Sequence, residues 1–228
     1  MRKNELMERM CACGIVPVFR TENISRVIPT VKACYEGGIP FGEFTMTMPG
    51  VLRLLEKAVA ELPAEVTLGI GTVLDGATAR SAICAGAKFI VSPSLSAETM
   101  QMCHRYGVMV VPGVMTPTEI TQAMELGAEV VKIFPASCVT PTFFRLMKGV
   151  FPQVRYVASG RLTIENAAEF VAAGADIVSC LGEGLDAEAF ARGDFEKIKQ
   201  AAKQFLAVVQ EAKKGGKSRA SGQPEKGS

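Results

Sequence analysis

One feature constrains this chain more than any other. A small residue with glycine, followed by a short apolar run, recurs with helical patterns between the repeats. Glu36-Gly37-Gly38 precedes Ile39–Thr45, and Ala85-Gly86-Ala87 precedes Lys88–Ser92. Tyr106-Gly107 precedes Val108–Pro112, Leu126-Gly127-Ala128 precedes Glu129–Phe134, and Ala173-Gly174-Ala175 precedes Asp176–Ser179. Each glycine falls at a helix C-cap, and each run has the length and β-rich character of a buried parallel strand. Ile15–Arg20, Thr67–Thr72 and Val154–Ala158 complete eight strands. Periodic segments near 24–36, 50–61, 76–85, 96–106, 117–126, 141–149, 163–173 and 195–213 supply eight helices.

The expected fold is a single α/β domain, a (β/α)8 TIM barrel over residues 1–213, with an N-terminal helix at 3–13 capping its floor. With 48% apolar residues in 228, the chain suits one such domain. An open doubly wound sheet calls for a G-x-G-x-x-G turn after its first strand, and Phe19-Arg20-Thr21-Glu22-Asn23 is unlike it. Residues 214–228 are rich in Gly, Ser and Lys and are expected to be a disordered tail.

Composition narrows the function. The single histidine, His104, argues against a His-built metal site, and its place mid-helix suggests packing. The formal charge is +2, with Lys214, Lys217, Arg219 and Lys226 against Glu225 in the tail, so the body is close to neutral. Such a body offers no electrostatic footprint for nucleic acid. Seven scattered cysteines without a C-x-x-C pair read as reduced thiols acting as small hydrophobes, hence a reducing compartment, the cytoplasm. The N-terminus lacks a signal-peptide pattern, and no run of apolar residues is long enough to span a membrane.

Two charges stand inside runs that should be apolar. By strand alternation Lys132 shares a face with Val130 and Phe134, and Glu43 shares one with Phe41 and Thr45. These strands, second and sixth in this count, face each other, so both charges reach one interior pocket. A buried charge without a partner costs several kcal/mol. Either the two simply pair, or they do chemistry. A desolvated lysine favours its neutral amine, which attacks carbonyls to form a Schiff base. A neighbouring carboxylate shuttles the protons.

The segment Val131-Lys132-Ile133-Phe134-Pro135 resembles the Schiff-base lysine strand of the class I 2-keto-3-deoxy-6-phosphogluconate aldolases, the KHG/KDPG aldolase family. Gly14–Arg20 is similar to the family's first strand, and Glu43–Pro49 to the strand with its catalytic glutamate. Gly69-Ile70-Gly71-Thr72-Val73 is close to the family's G-A-G-T-V, and Ile90–Pro93 and Val111–Glu119 match family segments. The likeness runs from about residue 5 to 210.

The resemblance implies a pyruvate-releasing aldolase acting on a 2-oxo-4-hydroxy acid. Lys132 would form the imine and Glu43 would be the general acid/base. Arg20 and Thr72 would hold the pyruvyl carboxylate, and Pro93 and Phe134 would line the pocket. Some members carry a second arginine four residues after the glutamate. Here that residue is Thr47. With the imine nitrogen as electron sink, no metal or cofactor is needed. The resemblance further implies a homotrimer.

The phosphate end departs from the family. Its Thr-Gly-Gly becomes Ser159-Gly160-Arg161, and its Gly-Ser becomes Gly182-Glu183. A dianion about 4 Å from Glu183 would be opposed by ~4 kcal/mol at an effective dielectric of 20. These replacements suggest a substrate whose distal end is a carboxylate or a neutral group. Two readings compete with the aldolase: a phosphate-binding isomerase barrel, which needs intact phosphate loops, and a non-catalytic anion-binding barrel, which needs neither Lys132 nor Glu43.

Overall fold

A computed structural model describes residues 2–182 and 185–220. Helix α1 (Lys3–Cys13) leads into β1 (Ile15–Phe19), α2 (Val27–Glu36) and β2 (Phe41–Thr45). Then come α3 (Val51–Glu61), β3 (Thr67–Gly71), α4 (Gly76–Cys84), β4 (Phe89–Val91) and α5 (Ala97–Arg105). Next are β5 (Met109–Val111), β6 (Gly113–Val114), α6 (Pro117–Glu125), β7 (Val130–Ile133) and α7 (Pro141–Val150). The chain continues through β8 (Arg155–Leu162), α8 (Ile164–Ala172), β9 (Ile177–Leu181), α9 (Ala187–Arg192) and α10 (Phe195–Ala220).

The strands are parallel and run β5-β4-β3-β2-β1-β9-β8-β7-β6. The two ends of this order are consecutive in the chain, so the sheet wraps into the (β/α)8 barrel. Beyond the fifth expected run, Val108–Pro112, a further short strand follows, β6. Pro112, the last residue of that run, has no N–H to give to a ladder and separates the two strands. On one side of it β5 pairs with β4; on the other β6 pairs with β7. The Pro112 carbonyl still accepts from the Lys132 N–H at 2.8 Å.

Two cores follow from strand alternation. Val16, Phe41, Phe89, Val91, Met109, Val111, Val130, Val157 and Ile177 point inward and fill the barrel. Leu6, Met7 and Met10 of α1 join this cluster and close its floor. The larger core lies between the outer strand faces and the helices, with Phe144, Tyr156 and Phe170 in edge-to-face contact. Below the strands, Asp176 accepts from the Tyr156 N–H at 2.8 Å and from Lys148 Nζ at 2.9 Å.

Three further details depart from the sequence reading. The seventh run extends to Leu162, with Gly160 and Arg161 bulged out between the Ser159–Ser179 and Leu162–Cys180 pairs. Helix α9 had no counterpart in the apolar pattern. Helix α10 continues through residues 214–220, assigned above to the tail, because extending an anchored helix is far easier than starting one. Residues 221–228 of that tail lie outside the described residues. Among the described residues no cysteine forms a disulfide, but Cys84 and Cys138 are exposed rather than buried. Burial pushes the Cys103 thiol up to about 12. His104 is exposed near the end of α5, with Nε2 3.0 Å from the Leu126 carbonyl oxygen. Among the described residues no helix is long and apolar enough to cross a membrane.

Candidate active site

A cavity of about 300 Å³ opens at the C-terminal ends of the strands. Barrel enzymes place their chemistry at this end, where the loops can vary without disturbing the barrel. Its wall includes Arg20, Glu43, Lys132, Phe134, Ser159, Gly160 and Arg161, all expected from the sequence. Among the described lining residues three are cationic and one is a carboxylate, which suits an anionic substrate.

Lys132 enters from β7 and is only 6% exposed. Its Nζ lies 4.7 Å from the centroid of the Phe134 ring, whose negative face receives the cation. Glu43 enters from β2 and is 2% exposed. The two line one cavity without a direct ion pair, so the simple pairing considered above is not what holds them. Among the described residues Glu43 Oε1 has no hydrogen-bond partner. Burial pushes the Glu43 carboxyl above its ordinary value, and the charges of Lys132 and Arg20 partly offset this. An acid raised in this way keeps its proton at higher pH and can donate it.

Arg20 follows β1 at the cavity mouth, and its Nη2 donates to Thr72 Oγ1 at 3.3 Å. Thr72 directly follows β3 with φ 59°, in the left-handed region that a β-branched residue rarely adopts. Strain of this kind is retained where the surroundings enforce it, and it turns the hydroxyl towards Arg20. Thr45 ties the neighbouring strand to the same corner: its hydroxyl donates to the Phe19 carbonyl at 3.1 Å. That leaves Thr47 to donate across the 2.7 Å contact between the two threonine hydroxyls.

Ser159, Gly160 and Arg161 reach the cavity through the β8 bulge, with Gly160 at φ 111° and Arg161 at φ 55°. Bulges re-aim side chains beside active sites. Asn166 Nδ2 donates to the Arg161 carbonyl at 3.1 Å, which holds the distorted turn.

Other expected residues stand outside the wall. Thr72 touches it only through Arg20. A Cβ at Gly113 would lie 2.3 Å from the Pro93 carbonyl, so Pro93 buttresses β6. Gly182 donates to the Val18 carbonyl at 2.7 Å and leaves room for the Phe19 ring. Glu183 lies outside the described residues.

The wall also contains Val18, Thr45, Ser137 and Ser179, which the sequence reading passed over. Alternation from Arg20 and Glu43 points to Val18 and Thr45. Ser137 comes from the short turn Ala136–Cys138, which has no such period.

Comparison with known proteins agrees with this geometry. The family model described as KDPG and KHG aldolase matches residues 6–201. The 2-dehydro-3-deoxy-phosphogluconate aldolase of Treponema pallidum is 33% identical over 207 residues, covering 90% of this chain and 96% of that one. The 2-dehydro-3-deoxy-6-phosphogalactonate aldolase of Escherichia coli K12 is 28% identical, covering 87% and 95%. Among solved structures, the 2-keto-3-deoxy-6-phosphogluconate aldolase of Zymomonas mobilis ZM4 with 3-phosphoglycerate superposes with a TM-score of 0.79. It is 25% identical and covers 90% of this chain and 97% of that one.

Proposed function

Because this chain belongs to the KDPG and KHG aldolase family and is therefore a lyase, we propose that it cleaves a 2-oxo-4-hydroxy acid to pyruvate and an aldehyde through an imine on Lys132. The observation that carries this reading is the pair of buried, unpaired charges, Lys132 and Glu43, in one cavity.

The chemistry follows from their placement. The neutral amine of Lys132 adds to the C2 carbonyl and gives a carbinolamine. Glu43 protonates the departing hydroxyl, water leaves, and the iminium forms. Glu43, now a carboxylate, takes the proton of the C4 hydroxyl. The C3–C4 bond breaks, the aldehyde departs, and the bonding pair moves into the iminium to give an enamine. Glu43 returns its proton to C3, and water hydrolyses the imine to release pyruvate and free Lys132. Arg20, braced by Thr72, holds the substrate C1 carboxylate.

The distal end of the substrate is read from β8. In place of a glycine's bare backbone, Arg161 lines the cavity in a left-handed conformation. A guanidinium fork suits a short distal carboxylate, as in 4-hydroxy-2-oxoglutarate. The named relatives act on phosphorylated sugar acids, and this is the competing reading. Pyruvate release from 4-hydroxy-2-oxoglutarate, 2-keto-3-deoxy-6-phosphogluconate and the galactonate epimer separates the two. Comparable kcat/KM values, or a preference for the dicarboxylate, support the proposal. A hundredfold preference for a phosphorylated acid, worth ~2.7 kcal/mol, refutes it.

A cytoplasmic homotrimer completes the proposal. Leu146 and Val150 on α7 are 60% and 62% exposed, an apolar strip that a second subunit would cover. Sedimentation of the purified protein as a monomer would refute the trimer.

A further inference from the structure

We propose that Gly71 is a positioning residue, its missing side chain forming the slot that holds the Glu43 carboxyl against the inner face of β3. The register pairs Glu43 with Gly69 and Thr45 with Gly71, so Glu43 must reach diagonally to lie over Gly71. A Cβ built at Gly71 would stand 1.8 Å from Glu43 Oε1, 2.6 Å from its Cδ and 2.9 Å from its Cγ. The overlap covers the whole carboxyl-bearing end of the side chain.

Backbone conformation does not call for glycine here, because Gly71 is not among the residues with positive φ. Space does. On the inward face of β3, above Thr67, Gly69 and Gly71 are bare, and each place is filled from a neighbouring strand. The Phe89 ring of β4 takes the place at Gly69, where a Cβ would approach within 2.4 Å, and Glu43 of β2 takes the place at Gly71. The carboxyl therefore cannot drop to the lower position. Among the described residues Oε1 has no hydrogen-bond partner, so the shape of this wall decides where that oxygen rests.

The inference rests on Glu43 being the general acid/base, and its test keeps the two claims apart. Alanine at 71 must drive Oε1 from 1.8 Å to at least 3.0 Å from the new Cβ. A displacement of about 1 Å at a reacting group costs on the order of 100-fold. Gly71→Ala is therefore expected to slow deuterium exchange at the pyruvate methyl group about 100-fold, while borohydride still traps pyruvate on Lys132. A folded Gly71→Ala protein that exchanges at the wild-type rate overturns the proposal. Stability reads the slot without reference to catalysis. Gly71→Ala should lower Tm when Glu43 is present and leave it unchanged in the Glu43→Ala background, where the slot is empty. Equal losses in both backgrounds, or a Glu43→Ala/Gly71→Ala protein that also fails to fold, overturn it. Unchanged exchange in Glu43→Gln would instead defeat the acid/base reading and leave the slot to the thermal comparison.

Discussion

Replacing Lys132 by methionine should make the protein more stable and catalytically dead. The side chain is 6% exposed, has no direct ion pair with Glu43, and finds its clearest compensation in the Phe134 ring 4.7 Å away. Holding an ion in such a place costs several kcal/mol. The cation–π contact of a desolvated lysine returns about 2 kcal/mol. Methionine fills a similar volume without a charge, so the net gain is expected at about 1–3 kcal/mol. For a chain of this size that raises Tm by roughly 2–12 °C. The gain should depend on pH. Burial raises the Glu43 carboxyl above 4.5, and Lys132 and Arg20 pull it back. With Met at 132 only Arg20 opposes burial, so the carboxyl rises further. A raised carboxyl contributes its stability fully below its unfolded value and loses it as pH climbs through the folded one. The variant's lead is therefore largest near pH 4.5 and shrinks towards neutrality. Thermal unfolding followed by circular dichroism over this range measures both effects. A variant less stable than wild type at every pH would refute the reasoning and make Lys132 a structural partner.

Three other outcomes are expected. Glu43→Gln should slow exchange of the pyruvate methyl protons by about 10²–10⁴-fold. Because glutamine mimics the protonated acid, its stability relative to wild type should grow as pH rises above 4.5, and a gain that falls with pH would contradict the burial argument. Thr72→Val removes the hydroxyl beside Arg20 and should raise KM for the 2-oxo acid roughly tenfold or more with kcat little changed. Asp176→Asn, at the floor, should cost about 1–3 kcal/mol by weakening the Lys148 contact, with Tm reporting the loss and kcat unaffected.

The barrel was legible because its signal is local: a glycine ends each helix and an apolar run follows. Lys132 and Glu43 stood out because charge inside such a run is expensive, and the barrel's two-fold alternation aimed both inward. What escaped depends on neighbouring strands. The extra strand beyond Pro112 is visible only once Gly113 and Val114 are paired with β7. The bulge at Gly160 and Arg161 is visible only once Ser159 and Leu162 are paired with β9. Gly71 reads as one glycine in a motif until the register lays Glu43 across it. Ser137 belongs to a turn, where no periodicity tells which side chain faces the cavity.

The central claim is that Lys132 forms a Schiff base with a 2-oxo acid. Pyruvate and borohydride added to the wild-type protein, followed by mass spectrometry of its peptides, test this most directly. One reduced pyruvyl group is expected, carried by the peptide containing Lys132 and absent from Lys132→Met. A protein that releases pyruvate yet shows no adduct on Lys132, or carries it on another lysine, would rule out Lys132 as the Schiff-base residue.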